Sequence, residues 1–110
     1  MAKIVIFGGE SDIATAIKEI EPNTVNISYA ECDVRNSTEI KMVLEMEKPT
    51  AVVNCAGVSN VQLIKDSDIE LWEKEINVNL IGSYRIAREC ANLGIMDMVF
   101  IASVAGKYGK

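Results

Sequence analysis

Short apolar runs alternate along this chain with longer stretches in which apolar residues recur every three or four positions. The apolar runs predict buried β-strands over residues 3–7, 24–29, 50–55 and 97–102. The periodic stretches predict helices from residue 11 or 12 to about 20, over 36–48 and over 67–92. Because strands that alternate with helices are typical of crossover connections, the pattern predicts an α/β fold with a parallel sheet.

Capping residues support the boundaries of the two later helices. Asn36 is followed three positions later by Glu39, and Ser67 is followed at the same spacing by Glu70. An amide or hydroxyl side chain before a helix, with a glutamate three residues on, is typical of a capping box. Gly94 suits the exit from the last helix, since glycine readily adopts the left-handed conformation that ends many helices.

Two glycines, Gly8 and Gly9, follow the first predicted strand and precede the first predicted helix. In open parallel sheets, ligands bind outside the carboxyl ends of the strands. Glycine at this place lets the backbone turn sharply and approach a pyrophosphate held at the helix N-terminus. A plain strand-to-helix turn would use glycine equally well, so this loop alone leaves both interpretations open.

The segment Asn54-Cys55-Ala56-Gly57 ends the third predicted strand. Small residues there would let a dinucleotide lie close to the backbone, and the Asn54 side chain is expected to tie neighbouring strands together. A generic strand-end turn also favours asparagine and glycine.

Asn79 lies inside the last predicted helix, among residues that are apolar on more than one face. Asparagine is a poor helix former and needs hydrogen-bond partners in a packed environment. The residue is therefore either functional or a core amide whose hydrogen bonds are satisfied by its neighbours.

Together with a segment near the end of the chain, these features resemble the short-chain dehydrogenase/reductase (SDR) superfamily. The resemblance is carried by residues 8–14, 54–57, 78–80 and 101–106, which stand in family order over nearly the whole chain. It implies one NAD(P)-binding domain over residues 1–110. The implied fold is a Rossmann-like doubly wound parallel sheet in three α/β/α layers, truncated after the fifth family strand.

The resemblance also implies a set of residues that bind NAD or NADP. The glycine loop departs from the family pattern Gly-x-x-x-Gly-x-Gly, because Asp12 and Ala14 replace the second and third glycines. Asp33 matches the family's acid that contacts the adenine ring, although a loop acid that caps a local turn would look the same. The implied set comprises Gly8, Gly9, Ser11, Asp12, Ile13, Ser28, Asp33, Val34, Asn54, Cys55, Ala56 and Gly57.

The choice between NAD and NADP depends on the end of the second strand, where an acid holds the ribose 2′-hydroxyl and a base accepts a 2′-phosphate. Ser28 and Tyr29 occupy this place, and the lack of an acid there favours NADP. Glu10 in the glycine loop and Glu31 nearby would repel the extra phosphate, which favours NAD. The sequence leaves the choice open.

Family members transfer a hydride between the nicotinamide and a small carbonyl or alcohol substrate, so an NAD(P)-dependent oxidoreductase is the expected function. The matching catalytic residues are Ser103, whose hydroxyl would donate to the substrate oxyanion, and Asn79, which would hold a water in the proton relay. The family's Tyr-x-x-x-Lys pair is expected just past Lys110, and Tyr108 is too close to Lys110 to replace it. The isolated 110 residues are therefore expected to be poorly active or inactive.

Two other functions stay open. The chain would act as a dinucleotide-binding or assembly module without turnover if these residues were the whole gene product. The second is a nucleotide-sugar reductase or epimerase of the family's extended branch. Few residues separate the second strand from Asp33, so the helix that family members usually carry between the second and third strands has no room there.

Charge and composition limit the classes of partner and the cellular location that the sequence allows. A formal net charge of −5 argues against a nucleic-acid backbone as partner. The early apolar run over residues 4–7 is too short to span a membrane or to act as a signal sequence, so a cytoplasmic protein is expected. With no histidine and with Cys32, Cys55 and Cys90 far apart, the chain predicts reduced core thiols and no metal site.

The long helix over residues 67–92 carries too many apolar residues for a single buried stripe. A second face must be covered, and in SDR enzymes this helix builds a subunit interface. A homo-oligomer is therefore expected.

Overall fold

The computed structural model describes residues 2–58 and 64–101. Four strands form one sheet in the order β2-β1-β3-β4. Every pair of neighbouring strands is parallel, as predicted. The strands are β1 (Ile4–Phe7), β2 (Val25–Ile27), β3 (Ala51–Asn54) and β4 (Asp97–Phe100).

Each predicted strand is present, and the ends are shorter than the apolar runs suggested. The predicted ends at residues 24–29 and 50–55 extend into turns, because Tyr29 and Cys55 already belong to the loops that leave the sheet. Ser103 and residues 108–110 lie outside the described part of the chain.

The strand order reverses at β1. The chain crosses from β1 to β2 on one side and then returns past β1 to β3 on the other. Because right-handed crossovers in opposite directions place their helices on opposite faces, the sheet is covered on both sides. The result is the doubly wound, three-layer α/β/α arrangement, with a crevice between the carboxyl ends of β1 and β3.

The helices are α1 (Asp12–Ile20), α2 (Ser37–Glu47), α3 (Ile69–Ile76) and α4 (Gly82–Asn92). A π-helical segment over Asn77–Ile81 joins α3 to α4, so the predicted long helix is continuous but carries a wider turn at its centre. A short 3₁₀ turn over Ile64–Asp66 precedes α3.

Side-chain caps fix where the helices begin. Ser11 caps α1 by accepting a hydrogen bond from the Ala14 N–H at 3.2 Å. Asn36 caps α2 in the same way, with the Glu39 N–H as donor at 3.1 Å. Both predicted starts are confirmed.

The predicted cap of α3 at Ser67 is wrong by one residue. Asp68 is the N-cap, and its carboxylate accepts from the Glu70 N–H at 2.9 Å. A carboxylate is as good an N-cap as a hydroxyl and interacts more favourably with the helix dipole. The helix therefore begins after Asp68 and not after Ser67.

The hydrophobic core lies between the sheet and helices α2 and α4. Val5 and Phe7 of β1 and Val52 of β3 point into it, as their alternation along the strands requires. Helix α2 contributes Ile40 and Leu44, and helix α4 contributes Ile86 and Cys90. Ile6 is equally buried on the opposite face, which explains why the β1 sequence is a continuous apolar run.

Within residues 2–58 and 64–101, no helix has both the length and the apolar character that crossing a membrane would require.

Candidate functional site

A cleft of about 400 Å³ opens at the carboxyl ends of the strands. Its wall combines the loop after β1, the segment that follows β2, the segment that follows β3, and one face of the long helix. The lining residues are Gly8, Glu10, Ser11, Tyr29, Cys32, Asp33, Val34, Cys55, Ala56, Gly57, Val58, Lys74 and Val78. The cleft therefore sits at the reversal of strand order, where ligands bind in folds of this class.

Gly8 brings the first loop into backbone contact with the segment after β3. Its φ angle is +70°, and a Cβ atom there would lie 2.4 Å from the Ala56 nitrogen. No other residue type fits this conformation and this approach. Gly8 therefore sets the floor of the cleft.

Gly9 does not line the cleft, and its role is to pack the loop against β2. Its N–H donates to the Ile27 carbonyl at 2.8 Å, and a Cβ atom would lie 2.7 Å from the Asn26 Cβ.

The start of α1 meets the cleft through Ser11 only. Asp12 and Ile13 lie in the first helical turn, exposed and away from the cleft lining. An aspartate in the first turn is favourable because the helix N-terminus is partly positive. The acid at this position consequently does not crowd the space in front of the helix.

Asn54 is buried at the end of β3, and the prediction that its side chain ties neighbouring strands together is wrong. Its Nδ2 donates to the Ser83 hydroxyl at 3.1 Å, and its Oδ1 accepts from the Ala56 N–H at 3.0 Å. The side chain points into the helix layer, so it joins β3 to α4 and shapes its own loop rather than tying strands together.

Asn79 makes two hydrogen bonds to the backbone of Val58. Its Oδ1 accepts from the Val58 N–H at 2.8 Å, and its Nδ2 donates to the Val58 carbonyl at 2.8 Å. Gly57 is close as well, because a Cβ there would lie 3.3 Å from the Asn79 Oδ1. The predicted need for hydrogen-bond partners is confirmed.

The π-helical segment presents Asn79 in this position. Gly82 donates its N–H to the Asn77 carbonyl, five residues back, and the Ser83 hydroxyl donates to the Asn79 carbonyl at 2.9 Å. A Cβ on Gly82 would lie 2.8 Å from the Val34 Cγ2, so the wide turn also packs closely against the cleft wall. Turns of this kind are frequent at functional sites.

Asp33 lines the cleft as one half of an ion pair. Its carboxylate accepts from the Arg35 guanidinium, with the shortest contact at 2.7 Å, and from the Arg35 N–H at 2.9 Å. The hydrogen bonds from Arg35 hold the pKa of Asp33 below its ordinary value. Val34, next in the chain, is buried against the long helix.

Ser28 follows β2 and does not line the cleft. The neighbouring Tyr29 does line it, and its hydroxyl accepts from the Arg35 Nη2 at 2.7 Å. The structure thus brings together eight members of the predicted cofactor set, namely Gly8, Ser11, Asp33, Val34, Cys55, Ala56, Gly57 and, through its loop contact, Asn54.

Some cleft residues were not among the predicted ones. Lys74 lies four positions before Val78, so helical spacing places both on one face, and the structure shows that this face lines the cleft. Cys32 carried no signal beyond its proximity to Asp33, and burial raises the pKa of its thiol to about 12.

The whole chain, residues 1–110, matches the short chain dehydrogenase family. A putative ketoacyl reductase of Streptomyces coelicolor is 32% identical over 92% of this chain and 43% of its own length. The 3-oxoacyl-[acyl-carrier-protein] reductase MabA of Mycobacterium bovis is 34% identical over 72% of this chain and 36% of its own length. The chain thus spans about two fifths of the length of these relatives.

The fold is shared with solved structures of low sequence identity. The dTDP-4-dehydrorhamnose reductase of Bacillus anthracis, solved in complex with NADP, superposes with a TM-score of 0.77 at 17% identity. The match covers 92% of this chain and 36% of that one. Together with the match over its full length, the cleft at the strand reversal and the glycine loop after β1 show that this chain belongs to the short-chain dehydrogenase/reductase family.

Proposed function

We propose that the cleft binds NAD or NADP as the cofactor of an oxidoreductase. The observation that carries this proposal is the backbone contact of Gly8 with Ala56, directly beside the N-terminus of α1. A Cβ atom at Gly8 would lie 2.4 Å from the Ala56 nitrogen, so glycine there lets the two loops meet and form a floor against which an extended ligand can lie. The residues present therefore fit a dinucleotide.

Each part of the dinucleotide is contacted by a different set of residues. The pyrophosphate lies in front of Gly8 and Ser11, where the first N–H groups of α1, including those of Asp12 and Ile13, have no partner within the helix. The adenine lies against Asp33 and Val34, and one ribose lies along Cys55, Ala56 and Gly57. The other ribose lies near Ser28, which follows β2 next to the lining residue Tyr29.

The reaction is hydride transfer between the nicotinamide and a small carbonyl or alcohol substrate, with the dinucleotide supplying or accepting the hydride. Asn79 holds the Val58 backbone and so keeps the segment after β3 in place beside the cofactor. Ser103 donates a hydrogen bond to the oxygen of the substrate as charge develops on it. The reductase names of the relatives at 32% and 34% identity favour a carbonyl substrate.

Titration calorimetry with NAD⁺ and NADP⁺ tests the proposal. We expect binding of at least one of them with a stoichiometry of one per chain. A nicotinamide absorbance assay with small ketones then separates an enzyme from a module that binds without turnover. No binding of either dinucleotide to folded protein would contradict the proposal.

We further propose that the protein self-associates through the outer face of the long helix formed by α3, the π-helical segment and α4. Trp72, Leu80 and Tyr84 are 55%, 69% and 62% exposed on this face, which is a large apolar area for a solvent-facing helix. Light scattering at micromolar concentration would show a dimer or larger species, and a wholly monomeric protein would contradict this.

A cytoplasmic location is part of the same proposal. Cys32, Cys55 and Cys90 are free thiols, and two of them are buried, which suits a reducing compartment.

A further inference from the structure

Strand β2 carries one polar side chain between two apolar ones. Val25 and Ile27 belong to or pack against the hydrophobic core, so alternation along the strand directs Asn26 to the opposite face of the sheet. Asn26 pairs in register with Ile6, which is buried on that same face. A polar residue in this place needs hydrogen-bond partners, and the glycine loop and α1 provide them.

The side-chain amide of Asn26 joins the two ends of the segment that opens the cleft. Its Nδ2 donates to the Gly9 carbonyl at 3.1 Å and to the Ala14 carbonyl at 3.2 Å. The Thr24 hydroxyl donates to its Oδ1 at 3.0 Å. Because an amide nitrogen has two hydrogens to donate, both are used here, and one side chain fixes Gly9 and Ala14 relative to β2.

Gly9 is held to β2 through both of its backbone polar groups. Its N–H donates to the Ile27 carbonyl at 2.8 Å, and its carbonyl accepts from Asn26. In a trans peptide the carbonyl and the next N–H point in opposite directions. Since the Gly9 carbonyl is directed at Asn26, the Glu10 N–H is directed away from it. Asn26 thereby orients the peptide group that leads into Glu10, which lines the cleft.

The bond to Ala14 constrains the first turn of α1 in the same way. Ala14 is fully buried, and its N–H donates at 3.2 Å to the Oγ of Ser11, the helix cap. Through the Ala14 carbonyl, Asn26 holds the turn whose free N–H groups would face a pyrophosphate. The lining residues Glu10 and Ser11 therefore lie between two fixed points.

We propose that Asn26 is a positioning residue for the binding of the pyrophosphate. Asn26 does not itself line the cleft, and it acts through Gly9 and Ala14. A loop that is already ordered loses less conformational entropy on binding than a loop that the ligand must order. This inference rests on the proposed dinucleotide site and adds to it the residue that keeps its phosphate-facing loop in place.

NMR titration of ADP and of adenosine against wild type and Asn26→Val tests the inference. Valine is uncharged and suits a strand, but it cannot donate to the Gly9 and Ala14 carbonyls. We expect ADP to bind this variant about three- to thirtyfold more weakly than wild type, because two hydrogen bonds that order the loop are lost. The affinity for adenosine, which has no phosphate, should be unchanged.

Thr24→Val is the matched control. It removes a buried hydroxyl that bonds the same amide, but it keeps both hydrogen bonds from the Asn26 Nδ2. This variant should bind ADP as wild type does, even where its stability is lower. Asn26→Gln keeps the amide on a side chain that is longer by one methylene, so it should recover part of the ADP affinity that Asn26→Val loses.

A measurement on wild type tests the same inference without any substitution. Because Asn26 is bonded to the loop, its side-chain amide resonances should shift when ADP is added but not when adenosine is added. The exposed Asn92, at the end of α4, provides a reference resonance that should not shift with either ligand.

Equal loss of ADP affinity in Asn26→Val and Thr24→Val would overturn the inference, because the effect would then come from stability alone. Unchanged ADP affinity in folded Asn26→Val, a parallel fall in adenosine affinity, or an Asn26 resonance that does not respond to ADP would overturn it as well. Failure of folded wild type to bind ADP, NAD⁺ and NADP⁺ would instead remove the proposed site on which the inference rests.

Discussion

The side-chain amide of Asn79 pairs with the backbone of Val58 as one strand residue pairs with another, with one hydrogen bond in each direction at 2.8 Å. A single side chain thereby fixes the segment that follows β3 to the long helix. We expect Asn79→Asp to lower the free energy of unfolding by about 1–3 kcal/mol, because a carboxylate cannot donate to the Val58 carbonyl. Urea denaturation measures this change.

The matched control for that substitution is Asn23→Asp, in the exposed turn before β2. It makes the same chemical change without a cleft contact and should stay within about 0.5 kcal/mol of wild type. Dinucleotide affinity should fall in the Asn79 variant only. Equal affinity in both variants would contradict a positioning role for Asn79.

Gly8 and Gly94, the glycines with positive φ angles within residues 2–58 and 64–101, allow steric and conformational costs to be separated. Gly8 and Gly94 have φ angles of +70° and +75°, but a Cβ atom would meet neighbouring atoms within 4 Å at Gly8 and none at Gly94. Gly94→Ala should cost about 1–2 kcal/mol for the left-handed conformation alone. Gly8→Ala should cost clearly more, because the Ala56 backbone would have to move, and thermal denaturation of both variants measures the difference.

Ser83 links two asparagines, since it accepts from Asn54 and donates to the Asn79 carbonyl. Ser83→Ala leaves the buried Asn54 amide without this acceptor, which should cost about 1–3 kcal/mol. A double-mutant cycle of Ser83→Ala with Asn54→Ala should show a coupling of about 0.5–3 kcal/mol. Simple additivity of the two substitutions would contradict the link.

Stability should fall on acidification in a way that depends on Asp33 and Arg35. The hydrogen bonds from Arg35 lower the pKa of Asp33 in the folded state, so the contribution of this pair is present above the unfolded pKa of about 3.9. It is lost as the pH falls through the lower folded value. Arg35→Gln should flatten the stability profile below about pH 4, as measured by urea denaturation at stepped pH.

The three thiols should differ in reactivity. Burial raises the pKa of Cys32 to about 12 and that of Cys90 to about 11. Burial also raises the pKa of Cys55, but a hydrogen bond with Ser11 opposes that shift and the residue lines the cleft. Iodoacetamide at mildly alkaline pH should therefore label Cys55 first, as read by mass spectrometry.

A bound dinucleotide should slow the labelling of Cys55 and leave the slow rate of Cys90, which does not line the cleft, unchanged. Labelling in urea, where all three thiols are accessible, provides the reference. Faster labelling of Cys32 or Cys90 than of Cys55 in the folded protein would contradict this order.

The fold could be predicted well because its signals are local. Apolar runs set the strands, and Asn36 with Glu39 marked the start of α2 correctly. Even there, the Glu39 carboxylate accepts from the Asp33 N–H at 3.2 Å rather than from the cap residue itself. The start of α3 was misplaced because Ser67 and Asp68 are both good caps and local sequence does not rank them.

The details of the site could not be predicted, because they depend on partners distant in sequence. Asn54 bonds Ser83, which lies 29 positions away. Asn79 bonds Val58 across 21 positions, and the π-helical segment that allows this has no side-chain pattern of its own.

The π-helical segment also sets the rotational phase between the two halves of the long helix. It accommodates one residue more than an α-helix would in the same length, and each residue of an α-helix advances the side chains by about 100°. Val78 faces the cleft and Ile86 faces the core in this register. Loss of one residue within Asn77–Ile81 would rotate one half of the long helix by about 100° relative to the other half. Either Val78 would then leave the cleft or Ile86 would leave the core.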